Sequence, residues 1–103
     1  MSMDAATFRA SLAAAEPPAG ISSALAGLWW DARGDWDKAH QCAQEQGDAG
    51  GAAVHAYLHR KEGDLANARG WYARAGRAMP EGPLAATTLS AEWDDLLAFL
   101  LAA

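Results

Sequence analysis

Two histidines and a glutamate, His55, His59 and Glu62, follow one another at i, i+4 and i+7. On a helix that spacing confines two imidazoles and a carboxylate to an arc of about 60°, a face able to ligate zinc, iron or manganese. His40, on the preceding helix, could approach the same face as a further ligand. The glutamate that zinc proteases place directly after the first histidine is absent, so the pattern carries no hydrolytic signature. Against the metal reading stands a structural one. Histidines facing a partner helix are commonly buried and satisfied by carboxylates or backbone groups.

Cationic side chains form the next constellation. Arg60, Lys61, Arg69, Arg74 and Arg77 are five of eight basic residues, gathered into eighteen positions with only Glu62 and Asp64 to offset them. Arg74 and Arg77 lie near Trp71 and Tyr72, and guanidinium groups beside aromatic faces suit a carboxylate or a phosphate. These four residues, with Trp29 or Trp30, are the candidate groove for a protein or peptide segment. The plainer expectation is a solvated face whose ion pairs contribute little.

Five tryptophans are foremost core fillers, because an alanine-rich interior needs a few large side chains to exclude water. Trp29 and Trp30 point about 100° apart on a helix, so one of them is expected at the surface. Cys42, the one cysteine, excludes an internal disulfide. It lies two residues from His40, on a different face, and the two make no nucleophile–base pair by themselves. Gly47-Asp48-Ala49-Gly50-Gly51 lacks the Lys-Ser/Thr of a phosphate-binding loop and reads as a helix stop, a cap and a turn. No enzyme class emerges.

The elements that must position these residues are helical. Asp4 can cap an N-terminal helix over 4–15, which carries Phe8 and Leu12 on one face and stops at Pro17-Pro18. Arg33-Gly34-Asp35-Trp36 and Glu62-Gly63-Asp64-Leu65 then repeat one pattern, with alanine four residues after each aspartate; the glycines are 29 residues apart. Each reads as a helix ending at a left-handed glycine, followed by an aspartate that caps the next. The result is two αα-hairpins, over 21–47 and 48–80. A linker over 81–89 follows, and then a capping helix over 90–102. Ser90 is its expected N-cap, and Trp93, Leu96, Leu97 and Leu100 form its apolar stripe.

The second hairpin, with Ala68, Tyr72, Ala75 and Pro80 after Gly63-Asp64, resembles the tetratricopeptide repeat. The first matches it at Gly27, Trp30, Gly34 and Ala39 and departs at Ala43 and Gln46, with a spacing about five residues short of the usual period. The resemblance implies an all-α fold of two stacked hairpins. It also implies a small non-catalytic module that binds a protein or peptide segment, and it places His55 and His59 at packing positions of a first helix. The chain is similar, too, to a group of short bacterial proteins sharing the Gly-Asp-Trp and Trp-Tyr-x-Arg-Ala-Gly-Arg phrases, a likeness that implies no mechanism.

The 103 residues suit one domain. A net charge of -5 argues against general nucleic-acid binding, and no apolar run is long enough for a membrane span. With Asp4 and Arg9 interrupting the N-terminal stretch, the expected location is cytoplasmic. No cofactor is expected on the binding-module reading, and a divalent transition metal on the alternative. A third reading is a homodimer through the C-terminal helix, where Phe99 widens the apolar arc.

Overall fold

The computed structural model describes residues 3–82 and 84–102, in which all regular structure is helical. Six helices follow in order: α1 (Ala5–Ser11), α2 (Ser23–Ala32), α3 (Trp36–Glu45), α4 (Ala49–Glu62), α5 (Leu65–Ala75) and α6 (Ala86–Ala102). Their starts follow the capping chemistry of the sequence. Asp4, Asp35, Asp48 and Asp64 each turn a carboxylate oxygen back onto the N–H three residues ahead, occupying a donor that the first helical turn leaves free. Gly63, in the left-handed region at φ 90°, lets α4 end and α5 begin within two residues.

Two expected boundaries are corrected. The N-terminal helix stops at Ser11, not at residue 15. The Ser11 hydroxyl donates to the Phe8 carbonyl, and Arg33 takes the Leu12 carbonyl at 2.6 Å, so acceptors that would continue the helix are occupied by side chains. The C-terminal helix begins at Ala86, inside the expected linker. Thr88 Oγ1 accepts the Ala85 N–H at 3.3 Å and donates to the Ala85 carbonyl at 2.8 Å, so the helix start is fixed well before Ser90.

α4 is the axis of the fold. Every residue from Gly50 to Arg60 is buried, and the helix packs on α2, α3, α5 and α6. A helix buried all round ordinarily carries apolar side chains alone. This one carries Val54, Tyr57 and Leu58 but also His55, His59 and Arg60, so its neighbours must satisfy polar groups inside the core. The α3–α4 junction is tight enough to exclude any side chain at Gly51, where a Cβ would stand 1.8 Å from the Gln46 carbonyl oxygen. That close approach brings His40 on α3 up against α4.

Around this axis Phe8, Leu28, Trp29, Leu58, Leu96 and Leu97 form the apolar core. Three tryptophan N–H groups are satisfied within it: Trp29 on Ser11 Oγ at 3.1 Å, Trp36 on the Leu58 carbonyl at 3.0 Å, and Trp93 on the Leu28 carbonyl at 3.0 Å. No helix among the described residues is long and apolar enough to cross a membrane.

Candidate histidine centre

At 100° per residue His55 and His59 share one face of α4, while Tyr57, Arg60 and Lys61 share the other. The second face is an ordinary buried polar network. Arg60 donates to Glu92 Oε1 at 2.8 Å, and Tyr72 donates its hydroxyl to Glu92 Oε2. Tyr57 donates to Asp31 Oδ2 and Lys61 to Asp31 Oδ1, each at 2.8 Å. Burial first, with the adjoining carboxylates, pushes both tyrosine hydroxyls well above their ordinary range, so both remain donors. Every charge here has a counter-charge or a hydrogen bond.

The histidine face differs. One ring nitrogen from each of His40, His55 and His59 lies within 4.8 Å of the others. His40 Nε2 and His55 Nε2 are 2.9 Å apart. His59 is oriented from outside the cluster. Its Nδ1–H donates to Glu62 Oε2 at 2.6 Å, and its Nε2 accepts from the Asn67 amide at 3.4 Å. A carboxylate on one imidazole nitrogen fixes the proton there and leaves the lone pair on the other, as in metal-bound histidines; in His59 that lone pair is taken by the long contact from Asn67, which a metal would have to displace. Two tryptophans sandwich the cluster. Trp36 stacks on His40 with ring centroids 4.8 Å apart, and Trp71 stacks on His55 at 3.7 Å.

Burial lowers the His55 pKa to about 4, assisted by His40, His59 and Arg74, and lowers that of His40 by the same principal cause with His59 adding to it. Both rings are therefore neutral near pH 7, the form that binds a metal. His55 is 2% exposed and its Nδ1 has no hydrogen-bond partner. No tautomer repairs this. If Nε2 accepts from His40, Nδ1 is a buried donor without an acceptor; if Nε2 donates, Nδ1 is a buried lone pair without a donor.

The sequence-predicted residues divide accordingly. His55 and His59 come together as their spacing predicts, and His40 joins them. Glu62, expected as a third ligand, instead holds His59, and its own cluster with His59 and Asp64 lies on exposed carboxylates. The proposed groove is not assembled. Trp29 is fully buried and Tyr72 is 2% exposed with its hydroxyl on Glu92, so neither is offered to a partner. Trp30 is partly buried against Trp29 and covered by Lys38, whose Nζ is 4.2 Å from its ring. Arg74 lies over Trp71 at 4.7 Å whereas Arg77 lies over Phe99 at 5.1 Å, and the two line different cavities. Sequence reasoning missed Asn67, the Trp36 and Trp71 stacks, and the Arg60–Glu92 pair. The four-residue step from Trp36 to His40 was the available signal for one of these stacks. Neither a family model, a curated protein nor a solved structure matches the chain.

Proposed function

We propose that the protein binds a divalent transition metal through His40, His55 and His59, with Glu62 orienting His59. The observation that carries this reading is the convergence on one face of α4 of three imidazoles, two buried and one half-buried, two of them set nitrogen to nitrogen and one, His55, left with an unpartnered Nδ1. Imidazole donors suit zinc, copper, nickel and iron. Two nitrogens on one tetrahedral zinc stand roughly 3.3 Å apart. The 2.9 Å between His40 and His55 therefore opens by a few tenths of an ångström on loading. The function is one of binding, not catalysis.

Cobalt substitution tests it. Tag-free protein titrated with cobalt(II) is expected to develop the visible absorption of a tetrahedral nitrogen site, saturating at one equivalent. His40→Leu and His55→Leu each abolish the signal while retaining helical circular dichroism. Absorption that stays that of aqueous cobalt in wild type contradicts the reading.

A second reading, a module of two stacked tetratricopeptide-like hairpins that binds a protein or peptide segment, is favoured by one cleft. It has a volume of about 600 Å³ and is lined by Leu65, Arg69, Arg77, Met79 and Leu84. Leu65 and Leu84 are 44% and 46% exposed, and neither arginine has a carboxylate within ion-pair distance among the described residues. Selection from a random peptide library is expected to enrich segments that mix acidic and large apolar residues. Enrichment that survives Arg69→Ala with Arg77→Ala counts against this cleft.

A further inference from the structure

On the side of α4 that carries Tyr57 and Lys61, residues of α1, α2, α4 and α6 enclose a cavity of about 500 Å³, a size that suits a small organic molecule. Independently of the metal reading, we infer that this cavity binds a small uncharged aromatic molecule carrying one oxygen acceptor. Its ring lies against Leu12, Leu89 and Trp93, and its oxygen accepts from the Lys61 ammonium.

Three observations converge on it. First, the walls are apolar. Trp93 and the partly buried Leu12 and Leu89 line the cavity. The one polar atom of Trp93 is turned away onto the Leu28 carbonyl at 3.0 Å, so this side chain has only ring surface to offer.

Second, the charges are already paired. The charged residues of the lining are Arg9, Asp31, Lys61 and Asp94. Arg9 closes on Asp94 at 2.7 Å and Lys61 on Asp31 at 2.8 Å, so neither sign is in surplus. A charged ligand would meet a like charge beside each opposite one and would lose its hydration for no net attraction. An uncharged ligand loses far less.

Third, the anchor is in place before any ligand arrives. Asp31 is 6% exposed and takes the Tyr57 hydroxyl at 2.8 Å on Oδ2, which fixes the carboxylate from inside the core. Its Oδ1 holds Lys61 Nζ, on a side chain that is 38% exposed. An ammonium has three donors, and this contact uses one. A carbonyl or hydroxyl oxygen entering the cavity can take another, in a charge-assisted hydrogen bond. Because the lysine head is already held, binding carries little further ordering cost.

The test follows the indole N–H resonances of 15N-tryptophan-labelled protein during titration with methyl naphthyl ketone. Naphthoate serves as its charged counterpart, and ethylnaphthalene as the counterpart without oxygen. The ketone is expected to shift the Trp93 resonance saturably and to leave in place that of Trp36, which lies outside the cavity. Naphthoate and ethylnaphthalene are each expected to bind at least about tenfold more weakly. Ala86→Trp, at an exposed position of the lining, fills the space and is expected to abolish the shift with circular dichroism unchanged. A Trp93 resonance that the ketone does not move, moves together with Trp36, or moves equally in Ala86→Trp overturns the inference. Naphthoate bound as tightly as the ketone overturns the uncharged class, and ethylnaphthalene bound as tightly overturns the Lys61 anchor.

Discussion

On one face of α4, Arg60 and Glu92 are 2% and 7% exposed, yet each closes on a partner that closes in turn on the network around it. On the other face His55 is as deeply buried, but its nearest polar neighbour is a second histidine and its Nδ1 has no partner at all. Burial is common to both faces, so it cannot explain the contrast. A buried ion pair with its hydrogen bonds complete specifies how α4, α5 and α6 fit together. A cluster of like donors and acceptors left incomplete serves the fold poorly, and on the proposed reading a metal completes it.

The sharpest way to break the comparison is Glu92→Ala. It strands a buried guanidinium and a tyrosine hydroxyl, and is expected to cost about 3–5 kcal/mol in urea unfolding. A loss below about 1 kcal/mol would mean that this face is no better satisfied than the histidine face.

Acid comes next. The folded protein holds His55 at about 4, below the 6.5 of an ordinary histidine, so folding favours the neutral ring. Stability is complete above about pH 6.5 and falls as the unfolded chain gains a proton that the folded chain refuses. The loss levels off below pH 4 after about 3 kcal/mol from this group. Urea unfolding of wild type and His55→Leu across that window checks the sign, because the variant should lose most of this pH dependence.

Glu62→Gln sharpens the metal side. It weakens the hold on the His59 tautomer and is expected to reduce zinc affinity about 10–100-fold, read by chelator competition, with little change in melting temperature. The smallest effect is at the surface. The Arg9–Asp94 pair, 2.7 Å apart with half-exposed side chains, is expected to contribute less than about 1 kcal/mol when Arg9→Ala is compared with wild type, and less still at high salt.

Much of the helical layout was legible because it rests on local chemistry. Asp35, Asp48 and Asp64 announce their helices through caps, and Gly63 announces a helix end through its left-handed backbone. The start of α6 was not legible, since Thr88 caps it without an accompanying apolar period. The pairing of His55 with His59 follows from helical spacing alone. The entry of His40 depends on how closely α3 approaches α4, which Gly51 permits through a contact that no periodicity reveals. Glu62 misled for a related reason. Its angle on the helix is right for a shared ligand, but a side chain one turn from His59 reaches that ring first. Trp29 and Tyr72 were candidates for exposure by residue type, whereas α1 and α6 supply the Ser11 and Glu92 groups that keep them inside.

The most direct measurement is elemental analysis of tag-free protein after equilibrium dialysis against zinc, with wild type and His40→Leu side by side. One zinc per chain in wild type and none in the variant is the predicted result. Wild type that leaves dialysis without zinc, or a variant that retains it equally, would contradict the claim that the histidine face of α4 is a metal centre.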